Sequence, residues 1–247
     1  KTLAVCSIGL LNIQDHLQPF WVGLMDGDGS LQVNHWRKKN LQYRICIKLS
    51  NLESNVKMLL LIKHKFKGHV RFTNNDRFVL WVLDSKKDIL NAIKTFDQYP
   101  PLTSRLICSL IFLKTCLSHN EVETYLNSRG LKYSNQLSIV QENLNKSIPL
   151  YFNSWLSGFI EAEGCFSIRQ TKNSSFSIRQ NKDIYILNFI KKHFDISNMI
   201  RKPYKDKDFY SLEVYRKDVL NKIIQHCEFY PLLGAKNDSL LKFKQTV

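Results

Sequence analysis

The stretch "FWVGLMDGDGS" (residues 20–30) places two carboxylates between three glycines, directly after an apolar run. The same frame returns in "WLSGFIEAEGCFS" (residues 155–167). Each matched pair is separated by 135 residues; the pairs are Gly23 with Gly158, Asp26 with Glu161, Asp28 with Glu163, and Gly29 with Gly164. A repeat that keeps both acids in both copies indicates an internal duplication in which the acids have a chemical role.

Net charge narrows the class of partner. The chain of 247 residues carries a formal net charge of +15, and 44% of its residues are hydrophobic, as in an ordinary globular protein. A basic field of this size attracts polyanions, with nucleic acid first and an anionic membrane second. A solvated basic surface that only aids solubility is the plainer alternative. Against it, basic residues also recur inside the segments that alternate as strands.

Cysteine spacing and apolar runs bear on the compartment. No cysteine spacing fits a Cys-x-x-Cys motif or a zinc finger, so we expect reduced, structural thiols in a reducing compartment. No apolar run is long enough to span a bilayer, and we expect no membrane association. The opening "KTLAVCSIGLLN" has an apolar run like that of a signal peptide but lacks a cleavage site of small residues, and no presequence is evident.

Hydrophobic periodicity divides the first half into a helix, two strands, a helix, two strands and a helix. The motif segment 18–26 supplies the first helix. Strands are expected at 30–36, 41–50, 69–73 and 77–84, and helices at 53–66, 85–99 and 103–117.

The second half repeats that order. Strands are expected in "CFSIRQT", "SFSIRQ", "NMIRKPY" and "FYSLEVY", and helices in "KDIYILNFIKKHF" and "KDVLNKIIQHCEFY". The stretches "FDQYPPLTSR" and "HCEFYPLLGAK" are visibly the same element. We therefore predict an α+β chain of two pseudo-symmetric αββαββα lobes, residues 1–117 and 151–247, with the polar, partly helical segment 118–150 as a linker.

Small residues give the repeated motif a mechanical interpretation. Glycines spaced by four on one helix, and Ser157, Gly158 and Ala162 on the other, let two helix backbones approach closely. If the helices pack side by side, their ends bring Asp28 and Glu163 together. We expect the terminal glycines to leave each helix in a left-handed conformation. Asp26 and Glu161, one turn earlier, are expected to cap or brace the neighbouring lobe.

The two motifs, "WVGLMDGDG" and "LSGFIEAEG", resemble those of a single-chain LAGLIDADG homing endonuclease of the kind encoded in organellar introns. The resemblance extends to the flanking "HLQPF" and "YFNS", to the order of elements in both halves and to the late Tyr-Pro element. It covers nearly the whole chain except the linker. Trp21 and Val22 stand where the family usually has Leu and Ala, a departure that concerns helix packing rather than chemistry.

The resemblance implies a saddle of two lobes, each with a four-stranded sheet along the DNA major groove. It implies that Asp28 and Glu163 hold Mg²⁺, with the carbonyl groups of Gly27 and Ala162 as further ligands. It also implies metal-dependent double-strand breaks with short 3′ overhangs at a long asymmetric double-stranded DNA target. Basic residues near the scissile phosphates, and polar residues that order water, complete the implied site; they are Arg105 and Lys236, and Asn51 and Gln180.

Strand positions that face away from the core are expected to contact DNA, because Gln, Asn and Arg side chains pair with purine edges in the major groove. In the first half these positions are Gln32, Asn34, Arg44, Lys48 and Arg71. In the second half they are Ser167, Arg169, Ser177, Arg179 and Arg201. About half of them are expected to contact only phosphates or water.

Two other functions fit parts of the sequence. An intron RNA maturase would share the fold and bind intron RNA, with or without DNA cleavage, but it would not need both acids. A glycosidase with a carboxylate pair is the second alternative, and the strong positive charge speaks against it. The Ile-, Asn-, Lys- and Leu-rich composition suggests an AT-rich genome and, by family analogy, a fungal mitochondrion. The two divergent halves in one chain predict a monomer.

Overall fold

A computed structural model describes residues 2–168 and 174–247, with side chains described from Asp15 onward. The elements of the first half run in the predicted order. They are α1 (Thr2–Gly27), β1 (Gly29–Trp36), β2 (Asn40–Ser50), α2 (Glu53–Phe66), β3 (His69–Thr73), β4 (Phe78–Leu83), α3 (Lys86–Gln98) and α4 (Ser104–His119).

The second half repeats this order after a helical connection. The connection holds α5 (Val122–Ser128), a short 3-10 helix (Arg129–Leu131) and α6 (Gln136–Asn143). There follow α7 (Phe152–Glu163), β5 (Cys165–Ile168), β6 (Ser174–Asn181), α8 (Ile184–Phe194), β7 (Phe209–Val214), α9 (Lys217–Phe229) and α10 (Ala235–Lys244). None of the described helices is both long enough and apolar enough to cross a bilayer.

The first sheet has four antiparallel strands in the order β1-β2-β4-β3. Tyr43, Ile45 and Ile47 of β2 alternate into the core, while Arg44 and Lys48 point to the other face and are exposed. The predicted alternation of this strand is confirmed, since period-2 patterning places one set of side chains on the buried face.

The second sheet differs from the prediction. Among the described residues it has three strands, in the order β5-β6-β7. The expected strand in "NMIRKPY" is reduced to a single bridge between Arg201 and Ser211. Pro203 follows two residues later and has no backbone N–H to donate, so pairing does not extend along this edge.

Helices α1 and α7 pack backbone to backbone at the centre of the molecule. A methyl group built at Gly23 would lie 1.9 Å from the carbonyl oxygen of Trp155, and one at Gly158 would lie 1.9 Å from that of Phe20. The two contacts are equivalent under the internal repeat, because Phe20 and Trp155 are related by the same 135-residue spacing as the glycines. The prediction that small residues allow this approach is confirmed.

Each lobe builds an aromatic core against its motif helix. In the first lobe the fully buried Trp21 stacks on Phe66, with 4.2 Å between ring centroids, and meets Trp81 edge-on. In the second lobe Phe152 of α7 meets Phe189 of α8 edge-on, with 6.2 Å between ring centroids. The Trp at the start of the first motif therefore serves packing, as its position in the sequence predicted.

The prediction that the glycines at the motif ends adopt a left-handed conformation is wrong. Gly164 has φ −70° and ψ 147°, which is extended backbone open to any residue, and among the described glycines only Gly68 has a positive φ. The motif glycines are required for space instead. A methyl group at Gly29 would lie 2.5 Å from Cα of Met25, and one at Gly164 would lie 2.7 Å from the carbonyl oxygen of Ile160.

Residues 118–150 are folded against the molecule rather than extended. Tyr125, Ile139 and Val140 are buried, and α6 packs on α4. The five cysteines whose side chains are described are free thiols, as expected; they are Cys46, Cys108, Cys116, Cys165 and Cys227.

Candidate active site and nucleic-acid interface

The ends of α1 and α7 bring Asp28 and Glu163 to one place on the pseudo-twofold axis. A methyl group built at Gly27 would lie 2.2 Å from Cβ of Ala162 and 3.5 Å from Oε1 of Glu163. Asp28 has an exposed side chain and Glu163 a half-buried one. Although part of the Asp28 side chain reaches solvent, the protein atoms packed around its carboxylate are the main cause that raises its pKa to about 6, and the negative charge of Glu163 adds to it. Burial raises the pKa of Glu163 as well.

The inner acid of each motif is a structural brace. Asp26 is fully buried and accepts hydrogen bonds from the backbone N–H groups of Leu102 and Thr103, at 2.8 and 2.9 Å, and from Nε1 of Trp155 at 2.7 Å. Glu161 accepts from the N–H groups of Gly234 and Lys236, at 3.0 and 2.9 Å.

These bonds place a carboxylate at the N-terminus of α4 or α10, where unpaired N–H groups favour negative charge. Most of them stay within one half of the chain. Only the bond between Trp155 and Asp26 joins the lobes, so the predicted brace to the neighbouring lobe is confirmed for Asp26 and not seen for Glu161 in the described structure. Burial raises the pKa of Asp26 to about 6.

Two residues that the sequence did not single out join the lobes at the same helix ends. Asp183 accepts from the N–H of Ser104 at 2.9 Å, and Asn55 accepts from the N–H of Ala235 at 2.9 Å. Each lobe therefore supplies a side chain that caps the late helix of the other lobe. Asp183 stands at the N-cap position of α8 but makes no capping bond to that helix.

Arg105 is held against the end of α1. Its guanidinium donates to the carbonyl oxygens of Gly29, Asp26 and Gly27, at 2.9, 2.8 and 3.1 Å. Lys236 is the second residue of α10, and its positive charge lowers the pKa of both Asp28 and Glu163 against the effect of burial. Both basic residues that the sequence placed beside the acids are therefore near them.

A cavity of about 400 Å³ opens beside Glu163 and Arg105. Gln180 lines it and donates to Oδ2 of Asp183 at 3.4 Å. Asn51, the partner proposed for Gln180 in the other lobe, donates instead to the carbonyl oxygen of Asp76 in the β3–β4 turn, at 2.8 Å. Gln180 is thus placed at the acids, and Asn51 is engaged with a turn.

The outer face of the first sheet presents the predicted polar residues in rows. Gln32 lies opposite Arg44, and Asn34 lies opposite Gln42. Lys48 and Arg71 both lie opposite Leu80 of β4 and so share one row. Asn34, Arg44, Lys48 and Arg71 are exposed, and Gln32 is half-buried.

The outer face of the second sheet is only partly as predicted. Arg179 lies opposite Ser211, which also bridges to Arg201, so the two exposed arginines flank one serine. Ser167 is half-buried. Ser177 lies between Cys165 and Glu213 and is buried, with 8% of the residue's surface exposed, so its prediction as an accessible contact is wrong. Arg169 lies outside the described residues.

The donor set at the axis consists of oxygen atoms. In the described part of the chain, no cluster of three or more His, Cys, Asp or Glu side chains is built to hold a metal. The two carboxylates, the nearby carbonyl groups and water are the available donors. Such hard oxygen ligands suit Mg²⁺ or Ca²⁺ rather than a softer metal.

Two duplicated lobes around a paired-acid axis define a LAGLIDADG protein, and the LAGLIDADG endonuclease family model matches residues 21–116 and 156–247. The chain belongs to this family, and the predicted fold class is confirmed. A probable intron-encoded endonuclease aI3 of Debaryomyces hansenii is 46% identical over an alignment 268 residues long. This alignment covers 96% of this chain and 39% of that protein. A protein of the same name from Dictyostelium citrinum is 43% identical, covering 93% of this chain and 95% of its own length.

Solved structures share the fold. The LAGLIDADG meganuclease I-CpaMI, crystallised with uncleaved DNA, has a TM-score of 0.71 at 20% identity, covering 92% of this chain and 90% of its own. The homing endonuclease I-GzeII, crystallised with its DNA target, has a TM-score of 0.70 at 21% identity, covering 92% and 88%.

Proposed function

We propose that this protein is a site-specific DNA endonuclease of the homing type, which cuts both strands of a long asymmetric target and leaves short 3′ overhangs. The observation that carries the proposal is the meeting of Asp28 and Glu163 at the pseudo-twofold axis between two sheets with basic outer faces. The relatives that bear the name of intron-encoded endonucleases support it. Two strands require two acids, which accounts for the duplicated motif.

The residues at the axis fit a divalent cation. Within the described residues no protein group donates a hydrogen bond to the carboxylate of Asp28 or Glu163, whereas Asp26 and Glu161 are fully bonded. We assign the metal to Asp28 and Glu163, with the carbonyl groups of Gly27 and Ala162 as further ligands. The Gly27 carbonyl accepts from Arg105 and keeps a second lone pair. A bound Mg²⁺ supplies the Lewis acidity that phosphodiester hydrolysis requires.

The other side chains at the axis have electrostatic and positioning roles. Lys236 and Arg105 provide positive charge beside the two acids, where a phosphate would gain negative charge as its ester bond breaks. Gln180 lies in the cavity beside Glu163, where it can hold a water molecule for attack. Asn51 would order water in the other lobe. This role requires its side-chain amide to turn from the carbonyl oxygen of Asp76 toward the DNA.

The two sheets account for recognition of the target. Each outer face would follow the major groove of one half of the target, with Arg44, Lys48 and Arg71 in one half and Arg179 and Arg201 in the other. The faces differ in sequence, so a palindrome is not required and a monomer suffices. In this division residues 1–117 and 151–247 are the two lobes, and residues 118–150 connect them.

An endonuclease explains the site better than the alternatives. RNA binding by a maturase does not need two acids at the axis, yet both acids are present and both lack protein hydrogen-bond donors in the described structure. A glycosidase does not need basic sheet faces. Because several relatives are named as intron-encoded and one is a mitochondrial protein of yeast, we propose a mitochondrial location.

The decisive experiment separates cleavage from binding. A supercoiled plasmid carrying a site selected from a random library is incubated with Mg²⁺ and with Asp28→Asn, Glu163→Gln or the exposed control Glu142→Gln. Each motif substitution keeps the shape of the side chain and removes its charge, so double-strand cleavage should be lost while DNA binding is retained. The control should cut normally. Full cleavage by either motif variant with Mg²⁺ as the only metal would overturn the assignment.

A further inference from the structure

One of the two sites at the axis is lined by a segment that the duplication does not repeat. The cavity beside Glu163 and Arg105 is closed on one side by Tyr133 and Gln136, which belong to the segment between the lobes. The duplication has no second copy of this segment. In the described structure no hydrogen bond joins residues 118–150 to α2 or α10, so this segment is bonded on the Glu163 side of the axis and not to the helices beside Lys236.

Gln136 holds this segment in place by bridging the lobes. Its Nε2 donates to Oγ of Ser104 at 2.9 Å, and its Oε1 accepts from Nζ of Lys182 at 2.9 Å. The N–H of Ser104 in turn donates to Asp183, the neighbour of Lys182 in the chain. These four residues form a closed ring of contacts, and three of them, Gln136, Lys182 and Asp183, line the cavity.

Tyr133 is fixed on the same side by separate contacts. Its hydroxyl lies 3.4 Å from Oγ of Ser109, which donates to the carbonyl oxygen of Arg105 at 2.9 Å. Nζ of the adjacent Lys132 lies 5.1 Å from the centre of the Tyr133 ring and donates to the carbonyl oxygen of Leu31. Tyr133 remains exposed on its outer side, with 46% of its surface accessible.

From this one-sided arrangement we infer that Tyr133 and Gln136 are positioning residues for the cleavage of one DNA strand, the strand served by Glu163 and Arg105. The inference rests on the proposed endonuclease function. An aromatic ring and an amide beside a scissile phosphate restrict where the backbone can lie, and a displacement of the reacting groups by about 1 Å can cost on the order of 100-fold in rate. The duplication supplies no second copy of Tyr133 and Gln136 for the other strand.

The test measures the two strands separately. Each strand of a selected site is labelled in turn, and single-turnover rates are compared for the unaltered protein, Tyr133→Ala, Tyr133→Phe and Gln136→Ala. Leu137→Ala is the matched control, because Leu137 lies on the same helix and is 65% exposed. Tyr133→Ala and Gln136→Ala should slow the cleavage of one strand by roughly 10- to 100-fold and leave the cleavage rate of the other within about twofold. On a circular plasmid these two variants should therefore accumulate the nicked form. Tyr133→Phe keeps the aromatic ring and should cut both strands at nearly the normal rate.

A second measurement avoids cleavage altogether. With EDTA present, 2-aminopurine placed beside one cleavage position or the other reports the local stacking of bound DNA. Tyr133→Ala should change the fluorescence for one strand only. Equal slowing of both strands, or no slowing of either, would overturn the inference while leaving the endonuclease function intact. If the unaltered protein cuts no selected site, the proposed endonuclease function is rejected, and this inference is rejected with it.

Discussion

Arg105 donates a hydrogen bond from Nη2 to the carbonyl oxygen of Gly27, 3.1 Å away, and so fastens the last turn of the first motif helix. The same guanidinium reaches the carbonyl oxygens of Asp26 and Gly29. A planar group with several fixed donors can satisfy these acceptors together, and a lysine cannot. The residue therefore supports the fold of the site as well as its charge.

Substitutions at the two basic positions should have different consequences. Arg105→Lys should lower the cleavage rate and also the free energy of unfolding, by about 2 kcal/mol, because charged hydrogen bonds to helix carbonyls are lost. Lys236→Ala should lower the cleavage rate with little change in stability, since its side chain makes no hydrogen bond in the described structure. Urea unfolding and cleavage assays on the same preparations would check both expectations. Equal losses of stability in the two variants would contradict the role given to Arg105.

Because the two motif helices pack so closely, adding one methyl group between them should strongly lower the stability of the fold. Gly158→Ala would place Cβ 1.9 Å from the carbonyl oxygen of Phe20, and backbone atoms on both helices cannot move aside cheaply. Overpacking of this kind costs about 1–3 kcal/mol or more. Gly130→Ala is the control, because a methyl group there meets no atom within 4 Å. Thermal unfolding of both variants tests this, and an unchanged midpoint for Gly158→Ala would contradict the packing.

Local patterns were sufficient to predict most of the elements. The helix at 53–66 and the hairpin around "NND" were located because periodicity and turn residues act over a few positions. The missing fourth strand of the second sheet shows the limit of this approach. The stretch "NMIRKPY" alternates like a strand, but Pro203 lies within it and, in the described residues, only Arg201 pairs with β7.

Contacts across the pseudo-twofold axis were harder to predict. Asp183 and Asn55 stand near the starts of their own helices, where a sequence pattern predicts an N-cap, and yet they cap the helices of the opposite lobe. The family resemblance predicted Arg105 beside the acids, but its bonds to α1 depend on how α4 crosses that helix. Such roles follow from tertiary placement, which residue type and spacing alone do not determine.

A buried histidine makes stability depend on pH. His226 lies within 3.3 Å of His193 and 3.2 Å of Ser157, and burial, with smaller contributions from His193 and His16, lowers its pKa to about 3. In the unfolded chain a histidine has a pKa of about 6.5, so the unfolded state binds the proton first. The stabilising contribution of the neutral imidazole is therefore complete above pH 6.5 and is lost as the pH falls toward 3.

Substitution of His226 should flatten this dependence. Between pH 7 and pH 5 the linkage amounts to about 2 kcal/mol, so the unfolding free energy of His226→Gln should fall less over that range than that of the unaltered protein. His64→Gln, on the exposed side of α2, is the matched control. Urea titrations at the two pH values give the comparison. An equally steep pH dependence in His226→Gln would assign the acid sensitivity to other groups.

The two sheet faces predict recognition that is separable by half-site. Arg44 lies on the outer face of the first sheet opposite Gln32, and Arg179 lies on that of the second sheet beside Ser211. Arg44→Ala should relax base preference only in the half of the target under the first lobe, and Arg179→Ala only in the other half. A good bidentate contact to a base is worth about 1–3 kcal/mol, so discrimination should fall roughly ten- to hundredfold at the contacted positions.

The measurement is a cleavage profile against all single-base variants of the selected target. Glu142→Gln, an exposed change on α6 away from both sheets, serves as the control and should leave the profile unaltered. Because the outer faces carry different residues, the two profiles should not be mirror images. Relaxation of the same half-site by both arginine variants, or an active dimer on a palindrome, would contradict the assignment of one lobe to each half of the DNA.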